Sequence, residues 1–197
     1  MAKLAFVYGP MNSAKSARLL ATHHCYLEKG MRPLIVKSTI DIRNGRYNHG
    51  EWGKTTSRAI PQGAECLFLE SGRFNEMEQF VDLIYTDVIL VDEAQFLMRN
   101  DVWYLSDIVD EYDIATVAYG LKTNAEGELF EGSSALLAMA DELEECRGIC
   151  KCGRRATHHI RLSGGTGLIG EAGVESEDVK YESVCRRCFK EFFRGEE

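Results

Sequence analysis

No run of apolar residues approaches the length of a membrane span, and the amino terminus lacks the basic start, long apolar middle and small-residue cleavage site of a secretory signal. Both absences point to a protein of the cytoplasm with no membrane partner. Basic residues are also in deficit: 23 Lys and Arg stand against 31 Asp and Glu, a formal net charge of -8. Such a chain does not present the broad positive surface that meets nucleic-acid phosphates, although a local positive pocket can still take a small anionic substrate. Internal repeats and low-complexity tracts are missing. None of His23, His24, His158 and His159 has the serine or carboxylate context of a catalytic histidine. What remains is 197 residues, 45% of them hydrophobic, enough for one substantial core with a small appended unit.

The most informative stretch is Gly9-Pro10-Met11-Asn12-Ser13-Ala14-Lys15-Ser16, directly after the apolar run Leu4-Ala5-Phe6-Val7-Tyr8. It reads as a phosphate-binding loop between a strand and a helix. Such a loop needs a tight turn whose backbone N–H groups converge on phosphate oxygens, an ammonium for the outer phosphates and a hydroxyl for Mg²⁺. Gly9, Lys15 and Ser16 stand at that spacing. Ala14 occupies the place where the usual motif has glycine. Because Lys15 follows at the helix start, Ala14 is expected at negative φ, where alanine carries no strain.

Asp87 to Phe96 forms a continuous apolar strand that ends in two adjacent carboxylates, as expected for a strand buried on both faces of a parallel sheet. Its acids then emerge at the carboxyl edge, where open α/β sheets bind ligands. Asp92 is the natural partner of Ser16 for a Mg²⁺ that bridges phosphates, and Glu93 is free to take a proton from a nucleophile.

Along the chain the pattern predicts strands over 4–8, 34–37, 65–69 and 114–119, and helices over 14–29, 74–84 and 101–109. Residues 38–63 lack clear periodicity and are expected to form a long polar excursion carrying Arg43, Arg46 and Arg58. The alternation implies an α/β fold, a parallel sheet with helices on both faces. Cys150-Lys-Cys152 and Cys185-Arg-Arg-Cys188 mark off a second unit, so the chain divides into 1–143 and 144–197. In a cytoplasmic protein such pairs read as zinc ligands, here Cys150, Cys152, Cys185 and Cys188, with Cys146 or His158 as competitors. Four sulfurs leave no open coordination position, so the zinc is structural, pinning both ends of the loop from Ser163 to Tyr181. Cys25 and Cys66 are expected to be buried apolar packing residues.

In order and spacing these motifs, with Asp41-Ile42-Arg43, Tyr119-Gly120-Leu121, Phe130 and Tyr181 to Cys188, resemble the type II thymidine kinases nearly end to end. The resemblance implies a RecA-like core with a small zinc lobe and ATP-dependent transfer of the γ-phosphoryl group to the 5′-hydroxyl of thymidine or deoxyuridine. It also implies a homotetramer and feedback inhibition by thymidine triphosphate. By the same resemblance Gly9 to Ser16 hold the triphosphate, Lys15 serves the phosphates, Ser16 and Asp92 serve the metal, Glu93 is the proton acceptor and Arg43 faces the transferring phosphate. Met11, Leu121 and Phe130 match positions lining the thymine pocket, and Gln95 and Phe96 complete its approach. The zinc-pinned loop matches a lasso that closes over the nucleoside, with Tyr181 at its returning end. The chain departs from the family at Ala14, at Ala125, where phenylalanine is common, and at Val174-Glu175-Ser176-Glu177.

Two other classes fit parts of the chain. Asp92-Glu93-Ala94-Gln95 is also the form of a helicase ATPase motif, but the chain lacks a second motor domain and a basic strand-binding surface. A non-enzymatic zinc module is the other; from Cys146 onward 10 Lys and Arg face 8 Asp and Glu, so nothing there points to DNA.

Overall fold

The structure is a computed structural model that describes residues 1–43, 45–163 and 180–194. Seven strands form the central sheet: β1 (Leu4–Tyr8), β2 (Pro33–Ser38), β3 (Trp52–Thr55), β4 (Ala64–Leu69), β5 (Val88–Asp92), β6 (Ala115–Gly120) and β7 (Glu142–Glu145). Their order is β3-β4-β2-β5-β6-β1-β7. All neighbours are parallel except β3, which runs antiparallel to β4 at one edge. The α/β expectation with a mostly parallel sheet is therefore met.

Alternation along the strands separates two cores, because successive side chains point to opposite faces. Val7, Ile35, Phe68, Val88 and Leu90 face α1 (Lys15–Glu28), which contributes the buried Leu19 and Leu20. Phe6, Val36, Leu69, Ile89 and Val91 face the opposite way, toward α2 (Arg99–Tyr112) and α3 (Glu131–Met139), where Val102, Leu105, Ile108 and Leu136 close the larger core. The start of α2 is fixed by the buried Asp101, whose carboxylate accepts N–H groups of Gly72 (2.8 Å), Met98 (2.8 Å) and Phe74 (3.1 Å). α1 ends at Gly30, which adopts φ 71.

Four expectations are corrected. The polar excursion contains the edge strand β3, stabilised by distant pairing with β4 rather than by local pattern. Residues 74–84 form two short 3₁₀ helices, Phe74–Gln79 and Leu83–Tyr85, instead of one α-helix. The buried Phe74 and Met77 lie three apart, the 3₁₀ period, and the Asp82 side chain accepts from the Ile84 N–H, restarting the chain. α3 and β7 were not anticipated. Cys25 is exposed: six residues on from Leu19 it is rotated by about 240° from the buried stripe of α1. Cys66 is fully buried, as expected.

Beyond β7 the chain forms a small lobe with two hairpins, β8 (Gly148–Ile149) with β9 (Arg155–Ala156) and β10 (His158–Ser163) with β11 (Lys180–Val184), followed by α4 (Arg186–Arg194). Cys150, Ala156, Ile160, Val184 and Cys185 make its core. The loop expected between Ser163 and Tyr181, with the Val174 to Glu177 departure, lies outside the described residues apart from its ends.

Candidate active site

The loop after β1 turns through two left-handed residues, Asn12 at φ 58 and Ala14 at φ 63. The negative φ expected for Ala14 is thus corrected: loop closure, rather than the helix that follows, sets this dihedral. Left-handed and right-handed residues in alternation turn successive N–H groups to one side, the concavity that binds anions. Gly9 is needed for packing, since a Cβ there would sit 2.5 Å from the Cys146 carbonyl oxygen. Lys15 folds over the loop, donating to the carbonyls of Gly9 (3.2 Å) and Pro10 (2.8 Å). Burial lowers the pKa of its ammonium despite the carboxylates nearby.

β5 delivers the acids. Asp92 shares a strand face with Val88 and Leu90, and its register partner on β2 is Lys37. Ser16 Oγ donates to Asp92 Oδ1 at 3.1 Å, and Thr55 Oγ1 donates to Oδ2 at 2.6 Å. Lys37, only 1% exposed, reaches Asp41 Oδ2 at 2.7 Å and Asp92 Oδ2 at 3.6 Å. Burial alone would lower the Lys37 pKa; the fields of Asp92 and Asp41 outweigh it and hold the ammonium above its ordinary value.

Glu93 adopts φ 52, and this left-handed turn carries it out of the strand line. One carboxylate oxygen accepts from Arg43 Nη2 and the other from Gln95 Nε2 at 2.6 Å. Gln95 Oε1 in turn accepts from the Leu121 N–H at 2.9 Å. Arg43 is shared: Asp41 accepts from its Nε at 2.7 Å and from its Nη2 at 2.8 Å. Burial works against the charged form of Glu93, but Arg43 overcomes it and keeps the carboxyl below its usual range. The site thereby holds an ionised, oriented carboxylate whose cationic partner has a second anchor.

A cleft of about 460 Å³ opens between the loop and the β3–β4 connection, lined by Met11, Ser13, Lys15, Arg43, Ser57, Glu93 and Leu121 among others. Arg58 crosses it to Asn12 Oδ1 at 3.2 Å. The residues Gly9 to Ser16, Arg43, Asp92, Glu93 and Gln95 are therefore brought together. Met11 and Leu121 line the cleft, whereas Phe96 and Phe130 pair edge to face with ring centroids 6.3 Å apart, outside its lining. Tyr181 stands against His159 at 5.9 Å. Ala125 is buried. Sequence reasoning missed Lys37 and Thr55 and gave Asp41 no role. A lone lysine closing the apolar run Leu34 to Val36, opposite the acid that closes β5, was the available signal.

In the small lobe the sulfurs of Cys150, Cys152, Cys185 and Cys188 lie within 4.8 Å of one another. The Cys150–Cys152 and Cys152–Cys185 sulfur separations are 3.4 and 3.7 Å. Tetrahedral zinc with Zn–S bonds of about 2.3 Å needs separations of about 3.8 Å, so the set fits a structural zinc ion. The Cys188 N–H helps lower the Cys185 thiol to about 6, while the neighbouring sulfurs push Cys188 up to about 12. The competitors drop out: Cys146 packs under the phosphate loop and His158 against Phe189 at 4.6 Å.

Residues 2–189 match the family model described as thymidine kinase. Among similar proteins are a thymidine kinase of Rhodopirellula baltica, 43% identical over 97% of this chain and 89% of that protein, and one of Pasteurella multocida, 43% identical over 97% and 98%. A thymidine kinase of Mannheimia succiniciproducens is 42% identical over 97% of this chain and 96% of its own.

Proposed function

The chain belongs to the thymidine kinase family and phosphorylates thymidine at the expense of ATP; from that premise we propose that Glu93 is the base, Arg43 the cation facing the transferring phosphoryl group, and Gly9 to Ser16 the triphosphate cradle. The observation that carries this division is the pair of hydrogen bonds that fixes both Glu93 oxygens beside the loop. Glu93 accepts the proton of the 5′-hydroxyl, the oxygen forms its bond to the γ-phosphorus, and ADP leaves with the electron pair of the broken P–O bond. Arg43 moves its charge onto the phosphoryl group as it arrives. Glu93 then loses the field that holds its pKa down, and becomes the stronger base when the proton must transfer. Asp41 keeps its grip on Arg43 throughout, so the guanidinium swings rather than wanders.

Ser16 and Asp92 are the groups to hold Mg²⁺, which when bound draws charge from the phosphate oxygens. The fit is supported by the 3.1 Å approach of Ser16 Oγ to Asp92, whose other oxygen is already held by Thr55. Met11 and Leu121 shape the slot for the base, Gln95 sets its approach through the Leu121 N–H, and Phe96 and Phe130 buttress it. Deoxyuridine is a second acceptor. Residues 1–143 make the kinase core and 144–197 the zinc lobe with a lasso that ends at Tyr181. A homotetramer, feedback by thymidine triphosphate and a cytoplasmic location belong to the same reading. No helix among the described residues is long and apolar enough to cross a membrane.

Glu93→Gln keeps the shape and removes the base. Its kcat is expected to fall by about 10² to 10⁴ while ATP binding by titration is retained. A variant that turns over like the parent would assign the proton to another group.

A further inference from the structure

Both strands that lead into the zinc-site cysteines first run past the phosphate loop. β8 ends at Ile149, immediately before Cys150, and β11 ends at Val184, immediately before Cys185. Gly148 of β8 abuts the loop so closely that a Cβ there would lie 3.0 Å from Pro10 Cγ. On β11, Ser183 Oγ donates a hydrogen bond to the Met11 carbonyl oxygen. Ser183 is itself backed by its register partner His159, which is only 1% exposed.

We propose that Ser183 is a positioning residue for the phosphate loop, through which the zinc lobe sets affinity for the triphosphate of ATP. The proposal rests on the reading of Gly9 to Ser16 as the triphosphate loop. In a trans peptide the carbonyl of one residue and the N–H of the next point in opposite directions. Holding the Met11 oxygen on the lobe side therefore directs the Asn12 N–H away from the lobe. Asn12 and Ala14 have positive φ and Ser13 between them does not, so the Met11–Asn12 peptide opens the alternating run that gathers N–H groups on an anion. A flip of that peptide would present a carbonyl oxygen where an N–H is needed, and carbonyl and phosphate repel. Met11 sits at the turn of the loop, where no strand ladder holds its peptide in place. The Ser183 hydroxyl supplies the missing anchor from another part of the chain.

The test compares the zinc-loaded parent with Ser183→Ala and Ser183→Thr, titrating ATP and tripolyphosphate by calorimetry and measuring zinc content. Ser183→Ala is expected to weaken both ligands by the same factor, about three- to tenfold, the worth of one lost hydrogen bond. Zinc content stays at the parent value, and Ser183→Thr, which keeps the hydroxyl on a strand that suits threonine, restores affinity. Parent-like affinity in Ser183→Ala, or a loss that appears only together with zinc, would overturn the proposal. Failure of the parent itself to bind either ligand would overturn the loop assignment, and the proposal with it.

Discussion

Ala14→Gly changes one methyl group at a residue held at φ 63 and ψ 22. The left-handed conformation costs an L-residue about 1 to 2 kcal/mol, and glycine escapes that cost. Glycine's wider freedom in the unfolded chain takes back about 0.4 to 1 kcal/mol. Ala14 is also the N-cap of α1 and makes no side-chain capping bond, so nothing is lost there and glycine is the better cap. The balance is a gain of about 0 to 1.6 kcal/mol centred near 0.8, a rise of about 2 to 3 °C in the unfolding midpoint at that centre for a chain of this size. The strain is already borne by the protein before nucleotide arrives, so ATP affinity should change by less than about tenfold. Scanning calorimetry and ATP titration of both forms measure the two quantities. A lower midpoint would mean that Ala14 is not left-handed in solution. An affinity gain of about a hundredfold would mean that the methyl obstructs a phosphate.

Cys185→Ser should lower the zinc content and the unfolding temperature of the small lobe, since a closed structural site contributes folding energy directly; metal analysis finding no zinc in the parent would end the assignment. Asp41 and Glu93 both have carboxyl pKa values depressed below the ordinary range by Arg43, working against burial. Their stabilisation is complete above the unfolded carboxylate pKa of about 4 and fades as pH falls through the lower folded values. The melting difference between the parent and Asp41→Asn should therefore be largest near neutrality and shrink toward pH 3, a trend that melts across that range would reveal or refute. Thymidine and deoxyuridine should both be phosphorylated, because a methyl is worth only about 1 to 3 kcal/mol, whereas deoxycytidine, with exchanged donors and acceptors, should be poor; comparable kcat/KM for deoxycytidine would contradict hydrogen-bonded recognition of the base.

What was legible in the sequence is what short-range chemistry encodes. The strand before Gly9, the helix that opens at Lys15 and the acids closing β5 each announce themselves within a dozen residues, and the two cysteine pairs do the same for the four-sulfur cluster. Lys37 was not legible as part of the site, because its meaning comes from the β2–β5 register that sets it beside Asp92. β3 owes its form to β4 rather than to Trp52-Gly53-Lys54-Thr55 alone. The left-handed Ala14 was misread because local propensity favours the helix, whereas closure of the loop against Cys146 and Ser183 decides its dihedral. Residues 74–84 carry an amphipathic pattern, yet the Asp82 turn and the three-residue spacing of Phe74 and Met77 give 3₁₀ geometry.

The most direct test of the account is to follow γ-labelled ATP through reactions containing thymidine, single-stranded DNA, or neither. The account predicts one ADP for each thymidine monophosphate formed, with the label on the nucleotide, and negligible ATP consumption in the other two reactions. ATP consumption stimulated by single-stranded DNA, with no label on thymidine, would contradict it.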